Sequence, residues 1–225
     1  MGSEMCIRDR SMPPTDFRIA SDRNKHPILA VLKRVLPAQG SALEIACGTG
    51  QHAQWFAQHL PGWQWLPSDA DMDAVRTTDT RLASSDLNNV RTAIALNVMH
   101  TQWFISAPPE PRFDLIFCCN MLHVAPWEAC AALMRGAARH LAPGGRLITY
   151  GPYFEDGVPT AQSNLDFDSN LHAVDPRRGI RHLTEVLHEA KTAGLDLHTR
   201  FVMPSNNLLL VWTPTYTSPS AAGRH

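Results

Sequence analysis

The sequence predicts an α/β fold, a three-layer sandwich in which helices cover both faces of a seven-stranded, mostly parallel sheet. Short apolar runs alternate with helical patterns along most of the chain, which is typical of a parallel sheet between two helical layers. A glycine loop at residues 48–50 follows the first apolar run. Two β-rich runs, 197–203 and 207–212, are separated by three residues and predict a hairpin. We therefore expect an antiparallel C-terminal strand.

Prolines and glycines divide the first half of the chain into alternating helices and strands. His26-Pro27 is placed to open the first helix, because proline is tolerated in a first helical turn. Pro61-Gly62 stops the second helix. The predicted elements are, in order, helix 26–36, strand 42–46, helix 51–60, strand 63–66, helix 71–82, strand 92–98 and strand 113–119.

The second half contains one long segment without a pattern. Pro143-Gly144-Gly145 ends a helix predicted over residues 126–141, and residues 146–150 form the fifth strand. Residues 151–180 carry no clean apolar period, and an irregular segment of this length is typical of a lid or a binding loop. A helix over residues 183–193 then precedes the hairpin.

Both ends of the chain are predicted to lie outside the folded domain. Residues 1–10 show no apolar periodicity and two prolines follow them, so we expect residues 1–16 to be a disordered or artefactual extension. Residues 214–225 are rich in small and polar residues and predict a disordered tail. A single domain over residues 17–213 remains.

The charge balance argues against a nucleic-acid or membrane partner. The 225 residues include 20 basic and 21 acidic side chains, and the basic ones are scattered, so no surface for a phosphate backbone is predicted. No apolar run reaches the roughly 18 residues that a membrane helix needs, and no N-terminal targeting signal is present. We expect a cytoplasmic protein.

The cysteines and histidines do not have the spacing of a metal site. Cys118 and Cys119 are adjacent and so lack the gap of a zinc-binding pair. The five cysteines are an odd count at irregular spacing, which does not predict a disulfide framework. We expect no bound metal.

The glycine loop predicts a nucleotide-like ligand. Gly48 and Gly50 have no side chain, so the backbone between the first strand and the next helix can approach a ligand closely. Asp69 ends the second strand, where a carboxylate can accept hydrogen bonds from both ribose hydroxyls.

The same loop is compatible with an NAD(P)-binding oxidoreductase, because Gly48, Gly50 and Ala53 also satisfy the dinucleotide-binding pattern. Glu44 stands within the first strand where dehydrogenases usually have an apolar residue. The antiparallel strand and the absence of room for a separate substrate domain also favour a class of protein other than the dehydrogenases.

The order of these features resembles that of class I S-adenosylmethionine-dependent methyltransferases, whose fold is Rossmann-like. The chain is most similar to a poorly characterised family, domain of unknown function 938, which includes animal methyltransferase-like protein 26. The resemblance covers roughly residues 17–213 and is carried by four strings, which are Arg23-Asn24-Lys25-x-Pro27-Ile28-Leu29, Gly48-Thr49-Gly50-Gln51-His52-Ala53, Asn120-Met121-Leu122-His123-x-x-Pro126-Trp127-Glu128 and Pro204-x-Asn206-Asn207-Leu208-Leu209-Leu210.

This resemblance implies that S-adenosylmethionine binds at the carboxyl ends of the strands. Glu44 would organise the loop and the methionine end of the cofactor, and Asp69 would hold the ribose. Asn97 stands where many class I enzymes have an aspartate for the adenine amino group, and its side-chain oxygen can still accept. The implied cofactor-binding residues are Arg23, Asn24, Glu44, Ala46, Gly48, Gly50, His52, Asp69, Asn97, Val98 and Asn120.

The resemblance also bears on Ala46 and on the Arg23-Asn24 pair. Ala46 stands where many relatives have the first glycine of the loop, and alanine there is compatible with the close family. Arg23 or Asn24 would close over the methionine carboxylate, for which the arginine fork is well suited.

The loop after the fourth strand points to the transferred methyl group. His123 is the candidate general base, since the pKa of histidine lies near the working pH. Its alternative role is a hydrogen bond to the backbone that orients the loop, and a thiolate or free amine acceptor needs no base. The predicted substrate-lid residues are Tyr153, Asn164, Phe167, Asp168 and Asn207.

The function implied is in-line transfer of a methyl group from S-adenosylmethionine to an O, N or S nucleophile. A small-molecule acceptor is favoured over nucleic acid because the chain lacks a base-flipping string of the Asn/Asp-Pro-Pro-Tyr type, while a protein acceptor stays open. Two alternatives remain at this point, an NAD(P)-binding oxidoreductase and a catalytically silent methyltransferase-like scaffold.

Overall fold

A computed structural model describes residues 14–104 and 111–215. Seven of its nine strands form one sheet, and the other two, each of two residues, form a separate parallel pair. The strands are β1 (Gly40–Ile45), β2 (Trp63–Asp69), β3 (Ile94–Ala95), β4 (Phe113–Cys119), β5 (Leu141–Gly151), β6 (Tyr153–Phe154), β7 (Arg181–His182), β8 (Leu195–Met203) and β9 (Asn207–Pro214).

The large sheet has the strand order β3-β2-β1-β4-β5-β9-β8. Strands β3, β2, β1, β4 and β5 pair in parallel, so their carboxyl ends meet at one edge. The last strand, β9, inserts between β5 and β8 and is antiparallel to both. The predicted α/β class, with seven strands and an antiparallel C-terminal strand, is confirmed.

Helices cover both faces of this sheet, as predicted for a three-layer sandwich. In β4, Leu115 and Phe117 pack in one hydrophobic cluster, whereas Ile116 and Cys118 pack in the other. The first cluster includes apolar side chains of the helices at residues 14–35 and 51–59, and the second includes side chains of the helices at residues 128–140 and 183–192. The helices are α1 (Pro14–Val35), α2 (Gln51–His59), α3 (Met72–Ala83), α4 (Glu128–His140), α5 (Gln162–Val174) and α6 (Leu183–Thr192).

Helix α1 begins twelve residues before the predicted start at His26, and Pro27 lies inside it. An interior proline removes a helical hydrogen bond and costs about 3 kcal/mol, which is why the sequence favoured a start at that point. The turn before Pro27 is nevertheless anchored to the core. Asn24 is buried there and its side chain bonds to His52 of α2.

The prediction of an irregular segment over residues 151–180 was wrong, because α5 and the short strands β6 and β7 lie within it. Among the side chains of α5, only Asn164 and Leu171 are buried. They are seven residues apart, so the helix occupies one narrow line of contact and leaves no apolar period in the sequence. Through Phe167 the helix contacts His123, which lies in the loop after the carboxyl end of β4.

Two strands differ in length from their predictions. Strand β3 has two residues instead of the expected seven. Strand β5 begins at Leu141 rather than residue 146, and the pairing register shifts between Phe113 and Leu115 opposite the Pro143-Gly144-Gly145 segment. A bulge therefore absorbs the residues that the sequence assigns to a turn.

The predicted extension and tail lie mostly outside the described residues, and the domain bounds at 17 and 213 stay predictions. Within the described part of the chain, none of the helices combines the length and apolar character needed to cross a membrane.

Candidate functional site

Two neighbouring strands end in residues with left-handed backbone. Ala46 directly follows β1 with a φ of 57°, and Asn120 directly follows β4 with a φ of 57°. An alanine in this region costs roughly 1–2 kcal/mol, whereas asparagine tolerates it better. The other described non-glycine residues of this kind, Ser205 and Asn206, turn the β8–β9 hairpin. Strained residues cluster at functional sites, so this edge is the candidate site.

Gly48 and Gly50 play different parts in the loop after β1. Both have positive φ, 58° and 74° respectively. A Cβ added to Gly48 meets nothing within 4 Å, so this residue borders open space at the sheet edge. A Cβ added to Gly50 would lie 2.8 Å from the Thr78 side chain of α3. Gly48 therefore leaves room for a ligand, whereas Gly50 leaves room for α3.

Asp69 ends β2 beside this loop, as predicted. Its Oδ2 accepts the Gly48 amide at 2.9 Å, and its Oδ1 accepts the Asp71 amide at 2.9 Å. Burial raises the pKa of this carboxyl above its usual value, against the effect of these two hydrogen bonds. A carboxylate has about four acceptor positions, so the two oxygens keep capacity for a further donor.

Glu44 is buried within β1, four residues before Gly48 of the glycine loop. Its Oε2 accepts the indole N–H of Trp65 at 2.7 Å, and its backbone oxygen accepts the Ser68 hydroxyl at 2.6 Å. Burial raises the pKa of Glu44 to about 8, the Trp65 bond opposes the increase, and Asp69 adds to it. The side chain is thus a protonated acid at neutral pH unless a cation lies against it.

Asn97 and Val98 follow β3 on the far side of Asp69. The Asn97 Oδ1 accepts the Met99 amide at 2.9 Å, which fixes the amide group and leaves one lone pair of this oxygen. Val98 is buried, and its carbonyl accepts the Trp103 indole N–H at 3.3 Å.

Asn24 and His52 join α1 to α2 near the same edge. The Asn24 Oδ1 can only accept, so the His52 Nε2, at 2.7 Å, must carry the proton of a neutral ring. Burial lowers the pKa of His52 to about 4, and the charge of Lys25 lowers it further. The Asn24 Nδ2 then faces Cys119 Sγ at 3.9 Å, at the end of β4. Arg23 is exposed.

His123 lies in the loop after β4, with its ring buried beside Gly151. A Cβ at Gly151 would lie 3.4 Å from the His123 Nδ1 and 3.7 Å from the Asn120 Oδ1, so both polar side chains converge on this glycine. Burial lowers the pKa of His123 to about 4, and the charge of Arg181 contributes. The imidazole is therefore neutral near pH 7.

Helix α5 brings Phe167 against this histidine. The two ring centroids lie 5.4 Å apart in an edge-to-face arrangement. Asp168 accepts the Ile180 amide at 2.7 Å and lies 3.6 Å from His172, so it holds the segment after the helix. The region predicted to form a lid thus contacts the candidate base through Phe167.

The other predicted lid residues have structural contacts. Asn164 is buried and donates to the Asn206 carbonyl at 3.2 Å, which ties α5 to the hairpin. Asn207 donates to the carbonyls of Pro204 and Ser205 at 3.1 Å each. Tyr153 is only 7% exposed and lies in the hydrophobic core, where its hydroxyl donates to Thr149 at 3.0 Å.

Several residues of the site carry no signal in the sequence. Thr78 and Arg81 of α3 donate to the carbonyls of Gly48 and Thr49 in the glycine loop. Arg181 donates to the carbonyls of Leu122 and Ala125, at 2.9 and 2.6 Å, and so holds the loop that carries His123. These contacts cross 30 to 59 residues of sequence, and only a tertiary structure brings them together.

The site therefore has two chemically different sides. The loop side holds the carboxyl groups of Glu44 and Asp69, which suit a ligand with hydroxyl and cationic groups. The β4–β5 side holds neutral polar groups, of which Asn120 and His123 are the nearest to Gly151. Among the described residues, no three His, Cys, Asp or Glu side chains are grouped to hold a metal ion.

Part of the chain is similar to curated proteins named ribosomal RNA small subunit methyltransferase C. The protein of Yersinia enterocolitica is 28% identical over 141 residues, and that of Yersinia pestis is 27% identical over 141 residues. The match covers 61% of this chain and 38% of each relative. The chain thus matches well under half the length of these relatives.

Solved methyltransferase structures have the same fold. Human N-acetylserotonin methyltransferase, in complex with S-adenosylmethionine, matches with a TM-score of 0.72 at 14% identity over 90% of this chain and 55% of its own. An O-methyltransferase family protein of Burkholderia thailandensis matches with a TM-score of 0.71 at 17% identity over 91% of this chain and 60% of its own. At these identities the likeness concerns the fold.

A family model covers nearly all of the described chain. It is the model described as "Protein of unknown function (DUF938)", and it matches residues 15–214. This match confirms the resemblance that the four sequence strings predicted, while the link to animal methyltransferase-like protein 26 stays an expectation. The chain belongs to the DUF938 family of proteins of unknown function.

Proposed function

We propose that the protein transfers a methyl group from S-adenosylmethionine to a small-molecule O, N or S nucleophile. The observation that carries this proposal is the pairing of the Gly48 amide with the Asp69 carboxylate, beside the open space over Gly48. This arrangement suits a nucleoside whose ribose hydroxyls donate to the carboxylate. The relatives, named as methyltransferases, and the shared fold support the same reaction class.

The residues of the loop side fit this cofactor from end to end. Asp69 keeps acceptor capacity for a ribose hydroxyl beside its bonds to backbone amides. Asn97, next to Val98, keeps an acceptor lone pair for an adenine amino group. Glu44 would become ionised beside the methionine ammonium, since a nearby cation lowers a raised carboxyl pKa. Arg23 and Asn24 of α1 would lie at the methionine end.

The cofactor supplies a methyl group on a sulfonium, and the protein aligns a nucleophile with it. A neutral hydroxyl becomes strongly acidic as it accepts the methyl group, so a base with a pKa of about 4 is strong enough to take its proton. His123 fits this role because it is neutral near pH 7 and borders Gly151. Its ring lies under Phe167, which limits water access.

The neutral β4–β5 side supports a small-molecule acceptor over a nucleic acid. Asn120 and His123 offer hydrogen bonds without a charge, and Phe167 offers an aromatic edge for a planar molecule. The curated relatives are named as ribosomal RNA methyltransferases, so an RNA acceptor is the second candidate.

The first test is a ligand titration of the full chain. S-adenosylhomocysteine at 100 times its Kd should raise the free energy of unfolding by about 2.7 kcal/mol, visible as a melting temperature higher by several degrees. NAD and NADP at the same concentration should leave it unchanged. A shift with NAD(P) alone would mean an oxidoreductase and would end the proposal.

The second test is a screen with cofactor labelled in the methyl group. Phenols, carboxylates, thiols, amines and a structured RNA are offered in parallel. Label in a small molecule supports the proposal, and label in the RNA alone shifts it to the second candidate. Bound S-adenosylhomocysteine with no labelled product in any class would favour a catalytically silent scaffold.

A further inference from the structure

We infer that Thr78 and Arg81 of α3 are positioning residues for the cofactor loop, a role that rests on the proposed function. The residue types on α3 give no hint of this, since both lie in an ordinary polar helix. Their side chains bond to two consecutive carbonyls of the glycine loop. Held in this way, the loop presents the opposite edge of its backbone to the methionine end of S-adenosylmethionine.

Thr78 holds the first of these carbonyls. Its hydroxyl is fully buried and donates to the Gly48 carbonyl at 3.1 Å. The Cys47 thiol lies 3.4 Å from the Thr78 Oγ1, and because the Thr78 proton is already donated to Gly48, the thiol is the donor to Thr78. Burial raises the pKa of Cys47, in keeping with a protonated thiol. The three groups form a chain from Cys47 through Thr78 to Gly48.

Arg81 holds the second carbonyl. Its Nε donates to the Thr49 carbonyl at 2.6 Å, and its Nη1 lies 3.4 Å from the Gln54 Oε1 of α2. The charged donor makes this the stronger of the two contacts. The guanidinium also lines an open surface groove of about 390 Å³ between α2 and α3, so a side chain of different length can be accommodated there.

The geometry of a trans peptide gives these contacts a consequence for the ligand. The C=O and N–H of one peptide unit point in opposite directions. With the Gly48 carbonyl directed to Thr78, the Thr49 amide points away from α3. The next amide, of Gly50, donates back to the Cys47 carbonyl at 2.9 Å. Thr49 N–H is thus the loop donor aimed at the cofactor carboxylate.

The first experiment measures S-adenosylhomocysteine affinity by calorimetry for Arg81→Met, Arg81→Lys and the matched control Arg76→Met. Arg76 lies on the same helix but is exposed and pairs with Asp73, so its loss should leave the affinity within twofold. Arg81→Met should weaken binding about tenfold, the size of one charge-assisted hydrogen bond, and Arg81→Lys should recover part of it. Equal affinity of wild type and Arg81→Met would overturn the inference.

A second readout does not depend on the cofactor. Hydrogen exchange of the peptide that contains residues 46–50 is followed in the unliganded proteins. Arg81→Met and Thr78→Val should accelerate exchange there, and Arg76→Met should not. Unchanged exchange in both variants contradicts the positioning role even if the wild type binds no S-adenosylhomocysteine. If exchange is accelerated in both variants but the wild type binds no S-adenosylhomocysteine, Thr78 and Arg81 do hold the loop and the proposed function is rejected.

Discussion

Single atoms decide the chemistry of the glycine loop. Gly48 and Gly50 are two positions apart in the sequence. A side chain at Gly48 would project into open space, whereas a side chain at Gly50 would meet Thr78 of α3. A sequence pattern treats the two glycines as equivalent. Their surroundings predict that the same substitution at each has a different consequence.

We expect Gly48→Ala to fold and to lose the cofactor, and Gly50→Ala to lose stability. At Gly48 the added methyl costs roughly 1–2 kcal/mol for the left-handed backbone and projects into the ligand space. At Gly50 the same backbone cost is joined by a contact at 2.8 Å with Thr78. Melting temperatures and S-adenosylhomocysteine titrations of both variants check this. Strong binding by Gly48→Ala would show that the space over it is not the cofactor site.

His123 should act on the rate of transfer and not on cofactor binding. With an acceptor hydroxyl found in the screen, His123→Asn should lower kcat by roughly 100-fold or more, the usual contribution of a positioned base. The Kd of S-adenosylhomocysteine should stay within twofold. A thiol acceptor should be less affected, because it can react as the thiolate. If kcat with the hydroxyl acceptor falls less than threefold, His123 only orients its loop through the bond of its carbonyl to Gly179.

At the scale of elements, one buried asparagine connects α1 to the rest of the site. Asn24→Ala should lower the free energy of unfolding by about 1–3 kcal/mol, because the buried His52 N–H loses its acceptor. The exposed neighbour Arg23 is the control, and Arg23→Ala should change stability by about 0.5 kcal/mol or less. Urea unfolding measures both. Equal effects of the two substitutions would mean that the Asn24–His52 bond does not hold α1.

The elements also mark how far the sequence can predict this molecule. The β1–loop–β2 unit was predictable because Glu44, the glycines and Asp69 are close in sequence and follow a strand. Helix α5 was not, since two buried residues, Asn164 and Leu171, suffice to hold it. The partners of the loop on α3 were not predictable either, because Thr78 and Arg81 act only after α3 has packed against β2.

Across the whole molecule, buried titratable groups have opposite effects on how the free energy of unfolding depends on pH. Glu44 binds its proton more tightly in the folded state, with a pKa of about 8, than in the unfolded chain. His52 and His123 bind theirs more weakly, with pKa values of about 4, than in the unfolded chain. The free energy of unfolding should therefore fall on both sides of an optimum.

The two slopes fix that optimum near pH 6.5. Below it the unfolded state takes up more protons at the two histidines than the folded state does, so stability falls as the pH decreases from about 6.5 toward 4. The folded state keeps the extra proton of Glu44 up to about pH 8, so this term lowers stability as the pH rises from about 4.5 to 8. Between pH 4.5 and 6.5 the two histidines outweigh the one glutamate.

Glu44→Gln separates the two slopes. Glutamine can still accept the Trp65 indole N–H, but it cannot ionise. The variant should match the wild type near pH 5 and exceed it by a few kcal/mol at pH 9, where the wild type must bury a carboxylate. Urea unfolding across this range measures the difference, and parallel curves would mean that burial does not raise the pKa of Glu44. At neutral pH the same variant should bind S-adenosylhomocysteine more weakly, because the ammonium group of the ligand loses its carboxylate partner. One substitution would thus stabilise the fold and weaken the site.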